Sequence, residues 1–187
     1  MFSHKRHLGK LASASAIAAS SILSFAVAQA AETTSTPMVL TAYVNGVGGE
    51  SVLSGKYDLA LKEITKDRSM SSTSYSAKIN NQCVAYAAKK QVTEALSACD
   101  AAVKSAKYDR IASQRYSPGS ARENSYVAIA YTNRAVVHMM AKDSESAKSD
   151  LARAQSLAPS AEFVSKNLVA VQNTSSKIAQ LNVAPAR

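Results

Sequence analysis

The sequence predicts an all-α fold, and three observations point to this class. From residue 38 onward the chain is rich in alanine, leucine, lysine, glutamine and glutamate, which are good helix formers. The whole chain contains only four prolines, so a helix can run far before a breaker ends it. Apolar residues recur at three-and-four spacing in segments separated by short polar breaks, which predicts antiparallel helical hairpins rather than strands.

The first 30 residues predict a secretory signal peptide. Residues 1–10 are basic, and the uncharged stretch that follows ends in Ala28-Gln29-Ala30, a small-x-small cleavage pattern. The alternative is a membrane anchor, but the apolar run from Leu11 to Val27 is only seventeen residues long, against about 20 for a spanning helix. Cleavage after Ala30 leaves no integral membrane segment and predicts an exported protein, in the bacterial periplasm or fully outside the cell.

The net charge of the chain helps to decide which classes of partner are expected. Removal of residues 1–30 takes away three basic residues and no acidic one, so the net charge falls from +9 to +6. Export, and the lack of a Lys/Arg run interleaved with aromatic residues, argue against nucleic acid as a partner. A solvated basic face is the favoured interpretation, and attraction to an anionic envelope surface of glycan or lipid headgroups stays open.

The first part of the exported chain is predicted to be irregular. Residues 31–40 begin with the polar run AETTSTP and are expected to form a flexible leader. Residues 41–66 predict a divergent first hairpin, because the segment from Tyr43 to Gly49 is rich in glycine. A helix is expected only after the turn at Ser54-Gly55-Lys56.

Two clearer hairpins follow, over residues 76–106 and 126–159. In each, two segments with helical apolar spacing flank a short polar break, at Lys90–Thr93 and at Lys142–Ser144. Pro159 ends the later hairpin. Small residues on both second helices allow a neighbouring helix to approach closely.

These hairpins resemble the tetratricopeptide repeat (TPR), whose pattern of about 34 residues runs W-x2-L-G-x2-Y, then A-x3-F, then a closing proline. Arg134 and His138 depart from that pattern, and Lys107 stands where the earlier hairpin's proline is expected. The resemblance implies a short right-handed α-solenoid of about three TPR-like units. The matching residues are Ile79, Gln82, Cys83, Tyr86, Ala95, Cys99 and Ala102 in the earlier hairpin, and Tyr131, Ala135, Ala147, Leu151, Ala154 and Pro159 in the later one.

The spacing between equivalent alanines predicts an insertion between the two clear units. Ala60 and Ala95 are 35 residues apart, whereas Ala95 and Ala147 are 52 apart, which exceeds one period of about 34 residues. The surplus is assigned to residues 107–125. The alternative is that the flanking helices are longer and leave only a short loop around Ser117–Ser120. Residues 160–181 are predicted to form a C-terminal helix that caps the last unit.

The sequence contains no recognisable catalytic set. After signal cleavage His138 is the one remaining histidine, and no Asp, Glu or Cys stands three or four residues from it to form a ligand pair or an oriented base. Gly46, Gly48 and Gly49 lack the Lys-Ser/Thr of a phosphate loop and are assigned to a turn. We therefore predict a non-catalytic protein with no metal and no cofactor.

Cys83 and Cys99 fall on the two helices of one hairpin. Folding about the turn near Lys90 brings them to similar heights, and an oxidising compartment favours a disulfide between them. The alternative is a pair of reduced, buried cysteines that act as small apolar residues.

The TPR resemblance implies peptide binding by the first helices of the units, with asparagine side chains contacting peptide backbone. Asn81 and Asn133 stand at equivalent places, two residues before Cys83 and Ala135. The alternative is that they only join neighbouring repeats by hydrogen bonds. The expected function is that of an interaction module for an unidentified protein or peptide. The other candidate contact residues are Asn80, Thr132, Val136 and Met140.

Overall fold

The protein is mostly helical in a computed structural model that describes residues 37–68, 72–115, 120–173 and 181–186. The predicted all-α class is therefore confirmed for the helices, and a small sheet is added to it. In the described part of the chain, no helix is both long and apolar enough to cross a membrane. The predicted signal peptide, residues 1–30, lies outside the described residues. The elements are β1 (Met38–Ala42), α1 (Gly49–Leu53), α2 (Tyr57–Lys66), α3 (Ser72–Ala88), α4 (Val92–Gln114), α5 (Ala121–Met140), α6 (Ser144–Leu157), α7 (Glu162–Asn173) and β2 (Leu181–Pro185).

Three hairpins, α1–α2, α3–α4 and α5–α6, share one turn geometry. Each turn has three residues, and the middle one is left-handed: Gly55 at φ 72°, Lys90 at φ 61° and Lys142 at φ 63°. In each case the next residue donates its N–H to the carbonyl five residues earlier, which satisfies an otherwise unpaired carbonyl at the helix end. These bonds are Lys56 to Ser51 at 2.8 Å, Gln91 to Tyr86 at 3.0 Å and Asp143 to His138 at 2.9 Å.

Small side chains let the paired helices approach closely. The predicted stripe on α4 and its counterpart on α6 are almost fully buried, and five of the six residues are alanine or cysteine. Cys83 and Cys99 form a disulfide between α3 and α4, with their Cα atoms 4.9 Å apart, within the range of about 4.4–6.8 Å that is usual for disulfides. The buried stripes are Ala95, Cys99 and Ala102 on α4, and Ala147, Leu151 and Ala154 on α6.

The predicted insertion over residues 107–125 is wrong for most of its length. Helix α4 continues to Gln114, and α5 already begins at Ala121. The surplus residues therefore extend the two helices, as the alternative interpretation held. The physical reason is that helix formers continue until Ser117-Pro118-Gly119, which lies outside the described residues.

The predicted flexible leader over residues 31–40 is wrong for residues 38–40. These residues belong to β1, all of whose residues are buried. β1 pairs in parallel with β2, from Met38 opposite Leu181 to Ala42 opposite Pro185. Within the predicted capping segment 160–181, α7 spans Glu162–Asn173, and Leu181 already belongs to β2. A local pattern does not reveal either strand, because each depends on the other end of the chain.

Arg134, which departs from the TPR pattern, joins three helices. Its Nε and Nη2 atoms donate to the two carboxylate oxygens of Asp150 on α6 at 2.7 and 2.8 Å, and Nη1 donates to Asp100 on α4 at 2.8 Å. The hydrogen bonds to Asp150 hold the pKa of Arg134 above its ordinary value. Only 4% of the Asp150 side chain is exposed, against 64% for Asp100.

This difference in burial gives a direct test. Asp150→Ala is expected to lower the free energy of unfolding by about 3–5 kcal/mol, because it removes the partner of a largely buried charge. Asp100→Ala removes an exposed partner of the same guanidinium and is expected to cost less than about 1 kcal/mol. Urea denaturation of both variants measures the difference, and equal losses would contradict the importance assigned to burial.

Candidate functional site

The candidate site is a row of three asparagines that binds the backbone of β1 and of Tyr43 directly after it. They project from α3, α5 and α7, and each side-chain amide pairs with both the N–H and the C=O of one residue. Because alternate residues of an extended strand present these groups to the same edge, the contacts fall on Val39, Thr41 and Tyr43. We call Asn81, Asn133 and Asn167 the asparagine ladder.

The three pairs of hydrogen bonds are closely similar. Asn167 accepts from Val39 N–H at 2.7 Å and donates to its carbonyl at 2.7 Å. Asn133 makes the same two bonds with Thr41, both at 2.8 Å. Asn81 makes them with Tyr43 at 2.8 and 2.9 Å. All three asparagines are 0% exposed, so these bonds form where water cannot replace them.

The opposite edge of β1 faces β2. The parallel pairing covers all five residues of each strand, and the N–H of Ala186 extends it by donating to Ala42 at 2.6 Å. β1 is therefore flanked by a strand on one edge and by side-chain amides on the other. Both sets of main-chain groups are satisfied, as burial requires.

A fourth asparagine joins the ladder to its neighbour. Asn80 donates to the carbonyl of Thr41 at 2.9 Å and accepts from Asn133 at 2.9 Å. This contact links α3 to α5 directly. Asn133 thus holds the extended strand of its own chain and also joins neighbouring helices, as the alternative interpretation held. Its contact with a partner peptide stays a prediction.

Asn167 is the site residue that the sequence analysis missed. It lies 34 residues after Asn133, which is the period of the repeat that the hairpins resemble. Helix α7 was interpreted only as a cap, so its polar residues were not compared with those of the earlier units. This spacing of 34 residues from Asn133 was the signal in the sequence that could have identified Asn167.

Glycines allow the chain to turn sharply where the ladder ends. A Cβ on Gly49 would overlap the carbonyl oxygen of Tyr43, and a Cβ on Gly46 would lie 2.9 Å from Nδ2 of Asn81. Gly48 has a positive φ of 74°. The glycine-rich segment therefore serves a tight turn next to the ladder, as its lack of a phosphate-loop pattern suggested.

A cavity of about 1130 Å³ opens beside this turn. Its walls come from α3, α4, α5 and the loop after β1, and alanines form much of its lining. The Tyr43 ring packs edge-on against Tyr126 at this side, with ring centroids 5.3 Å apart, and burial raises the pKa of Tyr43. Charged lining residues of both signs are Asp109, Arg110, Arg122 and Glu123.

The remaining predicted contact residues do not form an open surface. The hydroxyl of Thr132 donates to the carbonyl of Ala128 at 2.8 Å within α5. Thr132 and Val136 are 0% exposed, and Met140 packs against the core. The structure therefore places Thr132 and Val136 in the interior and leaves Met140 half-buried, and it brings Asn80, Asn81 and Asn133 together around β1.

His138 is not part of this site. Its ring nitrogens lie 3.5 Å from Asp143 and 3.8 Å from Asp150, in the charged network around Arg134. Among the residues that the structure describes, no group of three His, Cys, Asp or Glu side chains is arranged to hold a metal ion. The nearby carboxylates come from α6 and the turn before it, so they do not lie three or four residues from His138 on α5.

Comparisons of the chain with protein-family models, with curated proteins and with solved structures give no match. Primary amides that pair with N–H and C=O together recognise extended backbone, and they do so without reading side chains.

The asparagine ladder is expected to contribute to the free energy of unfolding. Asn133→Ala leaves the buried N–H of Thr41 without its acceptor and is expected to lower the free energy of unfolding by about 2–4 kcal/mol. Asn173→Ala is the matched control, because Asn173 is exposed at the end of α7 and should change stability by less than about 0.5 kcal/mol. Chemical denaturation measures both, and similar values for the two variants would refute the role of the ladder.

Proposed function

We propose that the protein is an exported, non-catalytic interaction module that binds an extended segment of another protein. In this proposal the three hairpins are TPR-like units stacked as a short α-solenoid. The ladder residues lie on α3 and α5, the first helices of two of these hairpins, and on α7. The disulfide agrees with an oxidising compartment outside the cytoplasm.

The observation that carries the proposal is the ladder with an extended strand already bound to it. Six hydrogen bonds of 2.7–2.9 Å join three amides to main-chain atoms. Such contacts supply affinity for extended backbone, and side-chain pockets then supply specificity.

The cavity beside Tyr43 gives a partner access to this site. Val44, at its edge, is 37% exposed, and the cavity lies where β1 leaves the ladder. Its alanine-rich lining offers apolar surface without bulk, and its charged residues can orient a polar segment. We expect a partner segment to contact the protein here.

Photo-crosslinking in cells that produce the full chain tests the proposal. A crosslinking residue in place of Val44 is expected to capture one discrete protein at both low and high salt, because the contact depends on shape and hydrogen bonds. The matched control replaces Val169 on α7, which is also an exposed valine, at 45%, and does not line the cavity.

The outcomes separate the two candidate partner classes. Capture from the Val44 position and not from the Val169 position supports a protein partner at this site. Glycan or lipid adducts that disappear at high salt would instead favour attraction to an anionic envelope surface. Equal capture from both positions, or none, would contradict the proposed function.

A further inference from the structure

The groove around β1 recognises the strand mainly through its backbone. All the amide contacts from the ladder to Val39, Thr41 and Tyr43 reach main-chain atoms. Another strand of suitable shape can make the same bonds. The side chains of the occupant then decide how well it fits, because Met38, Leu40 and Ala42 are at most 2% exposed.

One side chain of β1, that of Thr41, is poorly matched to its buried surroundings. Thr41 is 2% exposed, and its hydroxyl oxygen is buried without a hydrogen-bond partner among the residues that the structure describes. This residue occupies the centre of the ladder, opposite Asn133. A buried hydroxyl that makes no bond keeps its full desolvation cost. Valine has nearly the same shape and no hydroxyl, so it would avoid that cost.

We propose that β1 is an exchangeable internal ligand, displaced by a partner strand that carries aliphatic side chains and valine in the place of Thr41. This inference rests on the proposed function and specifies its partner. The partner segment is extended and lies parallel to β2, with small or aliphatic residues where Met38, Leu40 and Ala42 now lie. The backbone of the partner segment then makes the hydrogen bonds to the asparagine ladder that β1 made before it was displaced.

The short linker after β1 determines how much more tightly than β1 a partner strand must bind. Only Tyr43–Gly48 joins β1 to α1, and a short linker gives an effective concentration on the order of millimolar. A free peptide with the sequence of β1 therefore competes only weakly. Removing the unsatisfied hydroxyl is expected to improve binding roughly 5- to 150-fold, which brings competition into the micromolar range.

The test uses the full chain and three labelled peptides that copy residues 37–43. One has the natural sequence, one has valine in the place of Thr41, and one has proline there, which cannot donate to Asn133. Fluorescence anisotropy measures binding, and the amide NMR signals of Val39, Thr41 and Tyr43 report whether β1 leaves the groove. The valine peptide is expected to bind at least about fivefold more tightly than the natural one, and the proline peptide is not expected to bind.

A substitution in the chain provides the reciprocal test. Thr41→Val is expected to raise Tm, because the bound strand loses its unsatisfied hydroxyl, and to weaken binding of the valine peptide by at least about fivefold. A lower Tm, or unchanged peptide binding, would overturn the exchange.

The outcomes also separate this inference from the proposed function. Peptide binding that leaves the three amide signals in place overturns exchange and locates binding elsewhere. If no peptide binds while the crosslinker at Val44 still captures a protein, exchange is wrong and the interaction module stands. If both experiments are negative, both proposals fail.

Discussion

The structure depends on how the buried backbone of β1 is satisfied. Five residues of extended chain are enclosed by helices, whose own main-chain groups are already bonded within each helix. Without partners, the N–H and C=O groups of Val39, Thr41 and Tyr43 would carry a large desolvation cost. Three side-chain amides meet that requirement at one edge, and β2 meets it at the other. The helices can therefore enclose a strand without forming a larger sheet.

The buried asparagines depend on β1 for hydrogen bonds, just as β1 depends on them. Asn81, Asn133 and Asn167 are fully buried, and such amides are tolerated in a core only when their own donors and acceptors are paired. The strand supplies those partners, so helices and strand stabilise one another. The pairing of β1 with β2 also joins segments from the two ends of the described chain in one small sheet.

Most of the helices and their turns could be predicted from the sequence because their causes are local. Helix α1 was not, since a helix was expected only after the turn at residues 54–56, and α1 spans Gly49–Leu53. The left-handed turn residues Gly55, Lys90 and Lys142 lie where polar breaks interrupt the apolar spacing, and the buried stripes followed from that spacing. β1 was missed because its bonds to the asparagines span 128, 92 and 38 residues, and five residues carry little periodicity. The importance of Asn81 and Asn133 followed from their equivalent positions, but the identity of the segment they bind did not. Composition alone places its first residues, up to 40, in a flexible leader and the following ones in the divergent first hairpin.

Amide hydrogen exchange of the unliganded protein tests the central claim most directly. The N–H groups of Val39, Thr41 and Tyr43 should exchange at least about a thousandfold more slowly than those of Val44 and Asn45, which lie in the exposed turn just after the strand. Protection of this size at alternate residues would show that the amides hold the strand in solution. Exchange of all five groups at similar, unprotected rates would mean that β1 is not bound in the groove, and the account would be wrong.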